Sequence, residues 1–181
     1  KLVEYDLLQD LFPDTDECVH DDPNVLVLLQ KAMSNTDQRL VKSKPVTPAF
    51  ILAAMLWPEV SRLSKIRRDR GEAPMAAIHA AGQQAVSSAV KSVAIPRRFS
   101  QAMREIWEFQ LRLERRTGRK AAELVDHRRF RAAYDFLLLR EQAGEDTGGL
   151  GTWWTEFQIL APDERLQRVS NQSGRRGRSS S

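Results

Sequence analysis

The run Pro96-Arg-Arg-Phe-Ser-Gln-Ala-Met-Arg-Glu-Ile-Trp-Glu-Phe-Gln-Leu-Arg-Leu-Glu-Arg-Arg-Thr-Gly118 decides how the whole chain is read. Proline at its head is preset for a first helical turn, and glycine at its foot is a helix stop. Between them the spacing predicts one helix. At roughly 100° per residue, Arg97, Arg104, Arg112, Arg115 and Arg119 fall within an arc of about 80°. Phe99, Met103, Ile106 and Trp107 fall on the opposite side. One face should therefore pack inward and the other carry a basic ridge.

The same punctuation repeats outward in both directions. Asp21-Asp22-Pro23 reads as an acidic cap before Val25, Leu26, Leu29, Ala32 and Met33. The run from Val25 to Leu29 alone would also suit a buried strand, but the cap and the continued period favour helix. Thr47-Pro48 opens Ala49 to Trp57, with Pro58 expected to kink or restart that helix. Ala73 to Ala94 is Ala-rich, with Met75, Ile78, Ala81, Ala85, Ala89 and Val93 along one side. A short helix is expected over Lys120 to Val125, and Asp126 should cap another carrying Phe130, Tyr134, Leu137 and Leu138. Gly148, Gly149 and Gly151 break the chain before Thr152-Trp-Trp-Thr-Glu-Phe-Gln158. No alternating strand pattern with hairpin turns is found. The expectation is all-α: an irregular bundle of about seven or eight helices.

Composition sets bounds. A chain of 181 residues, 41% hydrophobic, can bury roughly 70% of its unfolded surface and needs no staple. A single cysteine, Cys18, excludes a disulfide framework and multi-Cys zinc patterns, and suits a reducing cytoplasm. No apolar run approaches the ~20 residues of a membrane span. The segment Lys1 to Phe12 enters directly on Leu7, Leu8, Leu11 and Phe12 without a cap, so it reads as the later part of a longer protein. Ser170 to Ser181 lacks apolar residues, and residues 161–181 are expected to form a disordered basic tail. The remainder divides into a helical body, 1–93, and an Arg-rich C-terminal helical domain, 94–160.

The net charge of +4 conceals an asymmetry. Residues 1–46 carry net −4, and residues 97–140 carry net +6 with eleven of twelve cations arginine. Arginine's planar fork grips phosphate at two points. A one-signed excess of this kind points to a polyanion, although Glu105, Glu108 and Glu114 are placed to neutralise part of it. The candidate contact set is Arg97, Arg98, Arg104, Arg112, Arg115, Arg116, Arg119, Lys120, Arg128, Arg129 and Arg131.

Other chemistry finds little support. His20-Asp21 lacks the further His and Asp ligands that a metal site needs. His79 and His127 have no evident carboxylate partner. Acidic neighbours disfavour a Cys18 thiolate. Asp14-x-Asp16 reads as a solvated turn. No phosphate loop or nucleophile elbow occurs. Trp107 belongs to the apolar face, and Trp153 and Trp154 read as core or docking residues. No catalytic residue, metal ligand or cofactor site is expected in this segment.

Several stretches are specific enough to compare. Ala94-Ile-Pro-Arg-Arg-Phe99, Glu105 to Leu113, Arg115-Arg-Thr-Gly118 and Phe130-Arg-Ala-Ala-Tyr-Asp-Phe-Leu-Leu-Leu-Arg140 resemble the C-terminal region of the bacterial poly(A) polymerase I family. So do Trp153-Trp154-x-Glu156-Phe157-Gln158, Pro48 to Trp57, and Asn35-Thr-Asp37-x-Arg39. The resemblance covers about residues 1–160. It implies a parent enzyme that adds AMP from ATP to RNA 3′ ends with Mg2+, in mRNA polyadenylation, processing and decay. In that family an N-terminal nucleotidyltransferase head carries a Gly-Ser motif, a metal-binding Asp-x-Asp on a strand and an Arg-Arg-Asp-Phe-type motif. None of these is found here, so the expected role is to hold RNA beside that head, with single-stranded 3′ ends and the head as partners, in the cytoplasm. Two alternatives stay open: the body of a CCA-adding tRNA nucleotidyltransferase, and a stand-alone module docking an acidic partner.

Overall fold

The computed structural model describes residues 8–42 and 47–176. The expected start of the first helix at residues 1–7 and the tail beyond Arg176 lie outside the described residues. Among the described residues every regular element is helical, as the sequence predicts. They comprise α1 (Pro13–Asp21), α2 (Pro23–Val41), α3 (Pro48–Asp69), α4 (Pro74–Ala89), α5 (Arg97–Leu113), α6 (Arg119–Leu124), α7 (Phe130–Gln142), α8 (Leu150–Gln158) and α9 (Pro162–Arg176). Among the described residues these nine elements, with a further helical stretch at 8–11, stand where about seven or eight helices are expected. Five of them open on proline, whose fixed φ and missing amide suit a first turn.

Two hydrophobic clusters hold the bundle. The first joins α1–α4 to the N-terminal half of α5 and one side of α7, around Trp57, Val60, Met103, Ile106, Trp107 and Phe136. Small residues let α4 approach closely: Ala77, Ala81, Gly82, Ala85 and Ala89 are all buried. The second joins the C-terminal end of α5 to α6, α7, α8 and α9, around Phe109, Leu113, Leu137, Trp154 and Phe157. Helices α5 and α7 thus contribute to both clusters.

Several local expectations are corrected. Pro58 lies inside α3, which continues to Asp69 without a restart. Burial of Leu56, Trp57, Val60 and Leu63 around it offsets the roughly 3 kcal/mol that an interior proline costs. Met75, expected on the packed face of α4, is exposed. Helix α5 stops at Leu113 rather than at Gly118, and the indole Nε1 of Trp154 satisfies the Leu113 carbonyl left open there, at 2.9 Å. Helix α7 starts at Phe130, not after Asp126. Asp126 instead accepts from Arg165 Nη1 at 3.3 Å, tying the α6–α7 turn to α9. Asp14 and Asp16 stand in the first turn of α1 rather than in a loop, and the Ser88 hydroxyl donates to Asp14. Where a disordered tail is expected from residue 161, α9 continues to Arg176. Acidic Asp163 and Glu164 sit in its first turn, where the helix dipole favours them. Val169 is buried in the second cluster.

Candidate nucleic-acid interface

Helix α5 is the spine of the basic region, and buried anchors set its orientation. Met103, Ile106, Trp107, Phe109 and Leu113 are at most 2% exposed. The Trp107 indole Nε1 donates to the Ala53 carbonyl at 3.1 Å. A Cβ at Gly82 would lie 3.0 Å from the Trp107 ring, so only glycine lets α4 sit this close without a shift. His79 Nδ1 lies 2.7 Å from Glu108 Oε1, joining α4 to α5; this supplies the carboxylate partner that His79 lacks in the sequence reading. Gln110, also buried, donates to the Ile106 and Ala133 carbonyls and accepts from Arg140 Nη1.

The predicted cations do not form one helical ridge. Helix α5 has 17 residues and so spans about 25 Å. Arg97 and Arg98 stand exposed at one end, with Arg98 over the Phe99 ring at 4.8 Å. Arg104 is half-buried and its Nε donates to the Ser100 carbonyl at 3.3 Å. At the far end Arg112 is exposed beside Phe109. Arg115 follows where the chain leaves the helix, and Gly118, at φ 78°, turns it into α6. Lys120 is exposed in the first turn of α6. Among the described residues no carboxylate pairs with Arg112, Arg115 or Lys120. Arg116 has a different job: it is half-buried and donates to the Gly148 carbonyl at 3.3 Å.

The remaining arginines are paired. Arg119 meets Glu123 at 2.9 Å on open surface. Arg128 and Arg129 both reach Glu105, Arg128 at 3.5 Å. Arg131 Nε lies 3.2 Å from Asp135 Oδ1, and Arg39 Nη2 lies 3.1 Å from Asp135 Oδ2. Glu105 therefore does neutralise part of the excess, but its partners come from the turn before α7 rather than from its own helix. Burial raises the Glu105 carboxyl, yet the hydrogen bond and charge of Arg129, helped by Gln101 and Arg128, outweigh it and leave the group below its ordinary value. Arg128, Arg129 and Arg131 line one side of a cleft of about 490 Å³, and Arg39 and Lys42 line the other. Arg39 and Lys42 are absent from the candidate set. The signal was available: Asn35-Thr-Asp37-x-Arg39 is one of the family-like stretches.

Cys18 is buried and donates to Glu59 Oε2 at 3.6 Å. Burial, with the charge and hydrogen bond of Glu59, pushes the thiol up to about 11. Glu59 is gripped by Arg62 through two 2.8 Å bonds. His20 is exposed, and its Nδ1 lies 2.8 Å from the Asp16 carbonyl; His127 packs against Phe109. Trp154 is fully buried, whereas Trp153 is half-buried and stacks on Phe157. Among the described residues no three His, Cys, Asp or Glu side chains converge to hold a metal ion. No helix among them is long and apolar enough to cross a membrane.

Comparison with known proteins places this arrangement. Poly(A) polymerase I of Salmonella typhi is 38% identical over 170 residues, covering 91% of this chain and 37% of the relative. The Escherichia coli O157:H7 protein of the same name is 37% identical over 169 residues, 91% of this chain and 36% of its own length. That of Haemophilus influenzae is 30% identical over 175 residues, 94% of this chain and 39% of its own length. The chain thus spans little more than a third of these relatives. The family model described as "Polymerase A arginine-rich C-terminus" matches residues 70–180, which take in α5 and the turn before α7. The chain belongs to this arginine-rich C-terminal family of polymerase A.

Proposed function

We propose that this chain is the helical RNA-holding part of a poly(A) polymerase that adds AMP from ATP to RNA 3′ ends in the bacterial cytoplasm. The reaction and its Mg2+ would belong to an N-terminal nucleotidyltransferase head, and this segment would keep the RNA backbone beside it. Relatives named poly(A) polymerase I support the reading. The observation that carries it is the exposed cluster Arg112, Arg115 and Lys120, for which no carboxylate partner stands among the described residues. Unneutralised guanidinium and ammonium groups on a rigid scaffold bind phosphates without reading bases. That suits an enzyme that must accept many different 3′ ends.

The test is binding of a labelled single-stranded 12-nucleotide RNA to the chain across a salt series, followed by fluorescence anisotropy. Micromolar affinity that falls steeply with salt is expected. Replacing Arg112, Arg115 and Lys120 by Gln removes up to three contacts, so the slope of log K against log salt should flatten by about 2. Arg116 is left intact, because its bond to Gly148 is structural. Absence of binding at low salt, or binding indifferent to salt, overturns the proposal. Incubation with ATP, Mg2+ and a primer should give no extension; clear incorporation would refute the assignment of the chemistry to a separate head.

A further inference from the structure

The cleft between α2, the start of α3, α5 and α7 has two chemically different surfaces. Its rim carries Arg39, Lys42, Arg128, Arg129 and Arg131. Its floor is apolar, with Phe50, Ile51, Ala132 and Leu138 all half-buried and so open to an occupant. The walls are tied together across the opening. Asp135 on α7 accepts from Arg39 on α2 at 3.1 Å and from Arg131 at 3.2 Å. Glu105, on α5, holds Arg128 and Arg129. Five cations thus line the cleft, and the guanidinium groups of Arg128, Arg129 and Arg131 keep N–H donors beyond those that Glu105 and Asp135 use. Asn35, half-buried on α2, lines the same cleft and makes no side-chain hydrogen bond among the described residues.

We propose that this cleft receives one nucleotide unit of single-stranded RNA, with the phosphate on the Lys42–Arg128 rim and the base on the floor beside Phe50. The inference rests on the RNA-holding role above and adds to it a second, pocketed contact. Charge complementarity selects a polyanion. The apolar floor selects RNA over an acidic polypeptide, because a base has a flat π-face to lay on it and a carboxylate side chain has none. The volume of about 490 Å³ lies within the range of roughly 300–1,000 Å³ usual for small-ligand sites. Asn35 offers both a donor and an acceptor to a base edge.

Two substitutions separate this cleft from the α5–α6 cluster. Lys42 and Arg128 are exposed, so Lys42→Gln with Arg128→Gln should leave the thermal transition unchanged. Each phosphate contact on a single strand contributes about 0.7 to the salt slope, or about fivefold between 1 M and 0.1 M salt, so losing two should lower the slope by about 1.4 and weaken binding of the 12-mer about 25-fold at 0.1 M. A 12-mer carrying 4-thiouridine should crosslink to peptides containing Phe50 and Ile51. Wild-type affinity in this double variant, while Arg112→Gln with Arg115→Gln loses binding, overturns the cleft and leaves the broader role standing. Crosslinks confined to residues 112–120 overturn the base site. Polyglutamate competing as well as RNA of equal charge overturns RNA as the occupant. No RNA binding by the wild-type chain removes both this inference and the reading beneath it.

Discussion

Replacing Gly151 by Ala should destabilise the protein, against the usual direction for such a change in a helix. Gly151 lies in the first turn of α8, and its amide donates to Glu141 Oε1 at 2.8 Å. The Thr147 hydroxyl donates to the same oxygen. A Cβ at this position would stand 2.1 Å from Glu141 Oε2 and 2.7 Å from its carboxyl carbon, so the carboxylate must leave. Departure removes a capping interaction of about 1–2 kcal/mol, together with a favourable charge at the helix N-terminus of about 0.3–1 kcal/mol. Ala for Gly at a helical position gains about 0.4–1 kcal/mol through the unfolded chain. The net is a loss of about 1–2 kcal/mol, and each kcal/mol lowers the melting temperature of a chain this size by about 2–4 °C. A background of Glu141→Ala reverses the sign. There the cap is already gone and nothing blocks the methyl, so Gly151→Ala should stabilise by about 0.5–1 kcal/mol. Urea denaturation of the four proteins, followed by circular dichroism, measures the cycle. Equal effects of Gly151→Ala in both backgrounds would refute the argument, because the carboxylate would then be swinging aside without penalty.

Three further outcomes follow from other contacts. Trp154→Phe leaves the buried Leu113 carbonyl without its indole donor and opens a small void; a loss of about 2–4 kcal/mol is expected in urea denaturation, and a loss below about 1 kcal/mol would mean that this bond does not hold the end of α5. Glu105 is held below its ordinary value of 4.5, so its pairing contributes in full above that pH and is lost as pH falls through the lower folded value; Glu105→Gln should flatten the acid side of a melting temperature–pH curve, and an unchanged curve would contradict the Arg129 pairing. Cys18, buried with its thiol raised to about 11, should resist iodoacetamide at pH 8 in the folded protein and react once urea unfolds it. Rapid labelling of the native chain would show that the thiol is open to solvent.

Helix starts were legible because they are written locally. Pro23 and Pro48 each open a helix in the structure and Pro96 directly precedes α5, and a fixed φ acts on its own turn whatever lies elsewhere. The apolar face of α5 was legible for the same reason: Met103, Ile106 and Trp107 recur at helical spacing and are all buried. Its end was not. Gly118 is the local stop, but the helix ends at Leu113, whose carbonyl accepts from a tryptophan 41 residues further on, and no short window of sequence contains both. Likewise His79 and Glu108 are 29 residues apart, and their pairing exists only once α4 packs on α5. The final helix is not written in composition: Ser170 to Ser181 holds no apolar residue, and Val169, just before it, is the residue buried in the second cluster.

The candidate site divides along this same line between local and distant information. Counting arginines locates a basic region, but it treats every cation as equivalent. Packing makes them unequal. Arg112, Arg115 and Lys120 lie exposed where α5 gives way to α6, with no carboxylate partner among the described residues. Arg128, Arg129 and Arg131 are tethered to Glu105 and Asp135, which lowers the net charge yet aims the remaining N–H groups. A free arginine loses rotamer entropy when it meets a phosphate, whereas a tethered one has lost part of it already in folding. Glu105 and Asp135, which a charge count scores as opposing a polyanion, therefore act under the proposed function as supports for the arginines that would bind it. The mixture of signs in this region is consistent with a built site and does not argue against one.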